Sequence, residues 1–234
     1  DTNTAIRFPG NDQISFETSG TERARVDSVG NVLLGLTSTL SSNNARLQVA
    51  HTDGNADIIV HRAGDNANPP GLNFQKTRNA SIGDYGTIVQ DDDELGSIRW
   101  GGADGSAIAF AARIVGAVDG TPGANDMPGR IQFHTSADGS EGMTERLRID
   151  STGALGLGVG GITSYFKNNS GNYRQLQIGL GAHFYGRTDD TPIYLVSNGY
   201  RDGSNWKYTA NTTASQIAMG THIVFETAGA GTAG

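Results

Sequence analysis

Cysteine is absent from this chain of 234 residues. Its absence excludes disulfides and thiolate metal sites, and it fits folding in a reducing cytosol even for a protein that works elsewhere. Large apolar residues are scarce as well. Leu, Ile, Val and Phe together make up about a fifth of the sequence, near the level at which disorder begins to threaten. A lone copy with so little apolar material struggles to offset the entropy it loses on ordering. No apolar run approaches the roughly 18 residues of a transmembrane helix, so membrane insertion is not expected, and no signal peptide is visible. Basic residues are in the minority, with 17 Lys and Arg against 24 Asp and Glu and a net charge of −7. Phosphate binding needs clustered cations, so nucleic acid is not expected as a partner.

What is present is patterned. Glycine, at 34 residues, is about twice its usual share, and the apolar residues alternate with polar ones instead of scattering. An ordered chain with too small a core of its own points to partner chains that supply the rest.

The pattern centres on a phrase used twice. Residues 21–35 read TERARVDSVGNVLLG and residues 144–158 read TERLRIDSTGALGLG. Glu145, Leu147 and Ile149 fall on one face of a strand and Arg146, Arg148 and Asp150 on the other. The first copy keeps the scheme with Glu22, Ala24 and Val26 against Arg23, Arg25 and Asp27. The next four residues, Asp27–Gly30 or Asp150–Gly153, have the Asp and Gly that a type I turn favours at its first and fourth positions. A second short strand follows, at 32–34 and 154–157, so each copy predicts a β-hairpin.

An upstream strand, Gln13–Phe16 or Arg130–Phe133, belongs to the same unit. The connection from it to the phrase is six residues longer in the second copy, which marks an exposed loop. A third copy starts at His222-Ile223-Val224-Phe225 and stops at Gly234 in mid-phrase, while the chain begins at Asp1 instead of Met. Both ends predict a longer polypeptide.

Leu72/Phe74 and Ile98/Trp100 read as further strands, each an aliphatic and an aromatic residue two apart, and ADGS occurs at 103–106 and again at 137–140. Residues 106–118, SAIAFAARIVGAV, allow a helix or a strand, and the strand is the better fit after a turn signal. Many short strands punctuated by Gly, Asn and Asp turns mean an all-β chain. The offsets between copies are too long and unequal for a regular solenoid, so an elongated string of hairpin modules is expected. The boundaries predicted are 1–36 for a first hairpin module, 37–158 for a central module ending in the second hairpin, and 159–234 for an aromatic-rich module plus the third hairpin.

ELGSIRWGGADGS, VDGTPGANDMPGRIQFHTSADGS and TERLRIDSTGALGLG resemble the shaft region of bacteriophage tail fibre proteins, of the kind that precedes an endosialidase-type intramolecular chaperone. The resemblance covers residues 1–158 well and 159–234 more loosely, through GNYRQLQIGLGAHFYGRT and NWKY. It implies an intertwined homotrimeric fibre of β-prism or β-helix character, located in the virion tail, made in the host cytoplasm and contributing to host attachment. Its implied partners are further copies of itself, other phage tail proteins, and a glycan or protein receptor on the bacterial surface. The self-cleaving chaperone of that family has no counterpart in this sequence, so none of its residues map here.

No motif carries chemistry. Gly156-Leu157-Gly158-Val159-Gly160-Gly161 matches the spacing of a dinucleotide fingerprint, but an Asn- and Gly-rich loop follows where a helix must open. The acidic run Asp91-Asp92-Asp93-Glu94 is a weak candidate for Ca²⁺, and its plainer reading is a solvated turn before the next strand. The five histidines, His51, His61, His134, His183 and His222, lack metal-ligand spacing. No serine sits in a nucleophile elbow, and no cofactor is expected.

The aromatics are the more informative enrichment: nine of the seventeen lie between Tyr165 and Tyr208. Most are expected to fill an interchain interior. Tyr200 and Trp206, in NGYRDGSNW, read as loop aromatics suited to receptor contact. The function expected is that of a trimeric, non-enzymatic tail-fibre segment that helps recognise the host. Its alternatives are a polysaccharide-degrading tailspike, a non-viral bacterial surface adhesin, and a purely structural tail adaptor.

Overall fold

The structure, a computed structural model, describes residues 2–40, 45–52, 54, 56–158, 173–178, 182–187, 193–202, 205–208, 213–219 and 223–229. Among these residues the chain is all β, with no helix, and therefore none long and apolar enough to cross a membrane. It divides into two units, Asp1–Leu72 and Asn73–Gly234. The boundaries read from the sequence, after residues 36 and 158, are not where this division falls. Strand pairing crosses both, 32–34 with 47–49 and 155–157 with 176–178.

The first unit is a five-stranded sheet in sequential order: β1 (Ala5–Arg7), β2 (Ile14–Thr18), β3 (Thr21–Val26), β4 (Val32–Leu34) and β5 (Leu47–Val49). Thr18 pairs with Thr21, and the two residues between them, Ser19 and Gly20, have φ of 53° and 71°. Positive φ at both positions is the type I′ geometry that matches strand twist. Between β3 and β4 the expected turn forms, with the Gly30 amide donating to the Asp27 carbonyl at 3.0 Å. The Asp27 carboxylate accepts from the Val29 and Asn31 amides and from the Asn31 side chain. These donors, the Asn31 amide foremost, hold its pKa below the ordinary carboxylate value. β5 joins β4 in parallel, a pairing the hairpin pattern does not announce.

The second unit is a ten-stranded sheet. It contains β6 (Glu94–Ala103), β7 (Ile108–Val118), β8 (Gly129–Ser136), β9 (Met143–Ile149), β10 (Leu155–Leu157), β11 (Tyr173–Ile178), β12 (Ala182–Arg187), β13 (Ile193–Ser197), β16 (Ala214–Met219) and β17 (Ile223–Ala228). All neighbours are antiparallel except β10 and β11. A separate two-stranded ribbon, β14 (Gly199–Asp202) and β15 (Asn205–Tyr208), is inserted between β13 and β16. The stretch 106–118 is a strand, as its place after a turn predicts. Leu72 and Phe74, read as a strand pair from the sequence, lie in a stretch without strand pairing.

The two copies of the phrase match atom by atom. Phe16 pairs with Ala24, and Phe133 with Leu147, each beside a bulge at the next residue. Arg25 grips Glu22 through two bonds of 2.7 and 2.8 Å, and Arg148 grips Glu145 at 2.8 and 2.7 Å. Arg23 and Arg146 each donate to a threonine on the upstream strand at 3.0 Å. Gly35 closes the first copy by donating to the Arg23 carbonyl at 2.9 Å, and Gly158 the second by donating to that of Arg146 at 2.8 Å. In both, the next strand is parallel. The loop differs most: two residues join β2 to β3, whereas Thr135 and Thr144, the paired equivalents of Thr18 and Thr21, are separated by 136–143.

Candidate interaction surfaces

Alternation along paired strands decides which side chains share a face. In the first unit, Ile6, Phe16, Ala24, Leu34 and Val49 stand opposite one another across five strands. Ile14, Val26, Val32 and Leu47 form a second row on the same face. This apolar face is the uncovered one: Ile6, Phe16, Ile14, Leu34, Val32 and Leu47 are all exposed. The row that is buried lies on the other face and is largely polar. It runs Ser15, Arg25, Leu33, Gln48, with Ser15 and Leu33 fully buried. On that side Gln48 accepts from the Leu40 amide and donates to the Ala45 carbonyl.

The second unit repeats the inversion on a larger scale. One row crosses all ten strands: Gly96, Gly116, Ile131, Ile149, Leu155, Leu176, Phe184, Leu195, Ile217 and Phe225. Beside it run Ile98, Ile114, Phe133, Leu147, Leu157 and Ile178. Phe133 is 37% exposed, Ile131 47% and Phe225 76%. At one end Gly96 leaves a gap that Phe74 fills, since a Cβ built on Gly96 would clash with the Phe74 Cβ, whereas nothing lies within 4 Å of one built on Gly116. At the other end the face dips into a depression of about 450 Å³, lined by Ile178, Phe184, Leu195, Ile217 and Phe225 among others. Contiguous exposed apolar surface of this extent marks an interaction site.

The opposite face is charged, and two of its arginines are paired within the chain. Arg148 is held by Glu145, and Arg113 donates to Glu94 at 2.9 Å. Within it lies His134, buried, both of whose ring nitrogens lack a hydrogen-bond partner. Burial, with help from the Arg113 charge, lowers its pKa.

The acidic run is dispersed to separate partners and forms no cation cage. The Asp91 carboxylate accepts from the Gly120 amide at 2.8 Å, and Asp92 receives Arg130 at 2.7 Å. Asp93 is buried and takes Arg78 in two bonds of 2.7 and 2.8 Å and Lys76 at 3.0 Å. Those bonds, Arg78 first and the Gln90 amide next, hold the Asp93 carboxyl well below the usual carboxylate range. Glu94 is the acceptor for Arg113. Each carboxylate thus neutralises a cation or caps an amide, and among the described residues no group of three or more His, Asp or Glu is placed to hold a metal.

Tyr200 and Trp206 lie on strands, not in the loop that the sequence predicts. Tyr200 stands opposite Lys207 and Trp206 opposite Arg201, on adjacent rungs of the β14–β15 ribbon. Tyr165, Phe166, His222 and the last three residues of GLGVGG lie outside the described residues. The polar burial and the pinning of 76–78 onto Asp93 escape sequence reasoning. Their only signal is an excess of Arg opposite acidic residues, with no indication of which pairs meet.

No protein-family model matches the chain, and no curated protein does. Among solved structures, the chain is similar to the carboxy-terminal domain of the bacteriophage T5 L-shaped tail fibre, at 17% identity and a TM-score of 0.48. That match covers 65% of this chain and 68% of the other. It is also similar to the same domain with its intramolecular chaperone domain, at 16% identity and a TM-score of 0.48, over 67% of this chain and 53% of that one. The chain thus spans about half the length of the second.

Proposed function

We propose that this chain is a segment of a bacteriophage tail fibre that associates with copies of itself, as a homotrimer, and contributes to attachment to the bacterial surface. The observation that carries the reading is the apolar row from β8 to β17 of the second unit, where Ile131, Ile149, Phe184, Leu195 and Phe225 are exposed in a single chain. A face of that kind is stable in water only when covered. On the opposite face Arg148 and Arg113 already have partners within the chain, Glu145 and Glu94, so that face makes less demand for cover. Three copies meeting by their open faces supply the core that the composition lacks, and the sequence resemblance to tail-fibre shafts implies the same number.

In this reading the role is mechanical and adhesive, with no catalytic step. The ribbon β14–β15 stands outside the ladder of the sheet. It is the element assigned to touch a glycan or protein receptor, through Tyr200 and Trp206, while other tail proteins anchor the fibre to the virion. Three receptor contacts on one assembly multiply a weak affinity by avidity. Sedimentation equilibrium tests the assembly: a mass three times that of the 24.5 kDa chain is expected, and a monomer at micromolar concentration would refute it. Phage carrying Trp206→Ala tests the contact. Adsorption to host cells is expected to fall, and unchanged adsorption removes Trp206 from the receptor site.

A further inference from the structure

The two units treat the strand after the repeated hairpin differently. In the second, β11 pairs in parallel with β10 on one edge and takes β12 on the other. In the first, β5 stands in the same relation to β4, with Leu47 opposite Val32 as Leu176 is opposite Leu155. Among the described residues its outer edge takes no further strand. Yet the chain continues into a stretch like the one that forms β12. Ile58-Ile59-Val60-His61-Arg62 follows β5 as His183-Phe184-Tyr185-Gly186-Arg187 follows β11, ending 13 residues after Val49 where the second ends 9 after Ile178. Among the described residues, none of 56–72 makes a backbone–backbone hydrogen bond, and Ile58, Ile59 and Val60 are exposed, Ile59 at 85%.

Three consecutive apolar residues put apolar side chains on both faces of a strand, which is the pattern of a strand covered on both sides. Folding this segment back onto its own β5 gives a sixth strand with one side on the face that already lacks cover. Covering that side takes a second copy, and in the single chain the segment stays off the edge of its own β5. We infer that residues 56–62 become a β-strand only on assembly, docking on the outer edge of β5 in a second copy. This rests on the self-association proposed above and names the backbone contact by which copies interlock, in addition to the packing of open faces. It is a case of β-strand addition, in which main-chain hydrogen bonds supply the binding and alternate side chains the fit.

The absence of native cysteine makes the test direct. Ala50→Cys, beside the β5 edge, and Ile59→Cys are made in separate chains of different tag length. The two are dissociated together, reassembled and treated with a short bifunctional thiol reagent. A cross-linked band containing one of each chain is expected, together with slowed amide exchange over 56–62 in the assembled protein relative to the dissociated one. The chain with both substitutions provides the opposing result. If it gives only an internally linked monomer band from an assembly that sediments as a trimer, the segment pairs with its own β5, and the inference falls while the trimer stands. A trimer with no cross-link of either kind and rapid exchange over 56–62 overturns it equally. A monomer in sedimentation removes both readings together.

Discussion

Ile131→Asp isolates the open face. Ile131 sits mid-row on β8, opposite Gly116 and Ile149, and leaves 47% of its surface to water in a single chain. Covering the remainder of such a side chain is worth about 1 kcal/mol per copy. A carboxylate placed there in a closed assembly is unpaired, at a cost of about 3 kcal/mol or more after relaxation. The two together come to about 4 kcal/mol per copy, or roughly a thousandfold in the association constant for each copy. Within one chain the same carboxylate faces solvent, so the sheet itself loses little. Sedimentation velocity across a concentration series is expected to show dissociation to monomer, with the far-ultraviolet circular dichroism of β structure retained. Ser140→Asp, in the exposed β8–β9 loop, adds the same charge and is expected to leave assembly unchanged. An Ile131→Asp protein that associates like the parent would refute the argument, because this face would then not be where copies meet.

Gly35→Ala is expected to destabilise the first unit by about 2 kcal/mol or more, since a left-handed φ is joined to a backbone clash; a Cβ there falls 2.0 Å from the Ala50 carbonyl oxygen at φ 74°. Gly20→Ala, at φ 71° with nothing within 4 Å, carries the conformational cost alone, about 1 kcal/mol, and urea melts of the two variants separate the terms. Asp150→Ala removes the acceptor of the Thr152 amide, the Thr152 hydroxyl and the Ala154 amide; because Asp150 itself is buried beneath an exposed turn, about 2 kcal/mol is expected to be lost, read by the same melts. Asp93 has a lowered folded pKa, so its contribution is present above the unfolded carboxylate value and fades as pH falls through and below about 4. Thermal melts down to pH 2 are expected to show that fall, and Asp93→Asn is expected to flatten it. His134 also has a lowered folded pKa, so stability is expected to drop as pH falls below about 6.5, where the unfolded chain takes up the proton first. His134→Gln is expected to remove that slope, and an unchanged slope means that the imidazole is not its source.

Much of this was legible because it is local. Alternation, the Asp-to-Gly turn and the aliphatic–aromatic pairs at 14–16 and 131–133 all depend on neighbours a few residues away, and the hairpins form as they predict, except that the bulge beside Phe16 and Phe133 turns Glu22 and Glu145 onto the face of Arg25 and Arg148 instead of that of Val26 and Ile149. The loop length between the upstream strand and the phrase is equally local. The rest is set by distant contact. Arg78 and Asp93 are 15 residues apart and Arg130 and Asp92 are 38 apart, so a run that reads as a solvated acidic turn becomes a set of ion-pair anchors. Phe74 resembles a strand residue by its spacing from Leu72, but it is spent on the gap above Gly96, a partnership that no pattern within 71–75 encodes. Tyr200 and Trp206 read as loop residues because GSN is a strong turn signal, but the β14–β15 ribbon takes both positions into its strands. The direction of burial was half legible. Alternation distinguishes the two faces, but only the register shows that the apolar one stays open.

The β8–β9 connection has a practical consequence. Two hairpins with matching bonds on either side carry linkers of very different length, so the ladder places no demand on what joins it. Foreign peptides could be grafted at 137–142 without disturbing Arg148 and Glu145 below, and in an assembly of three chains each graft would be presented in triplicate. The site is suited to epitope display or to re-targeting a particle at a new cell.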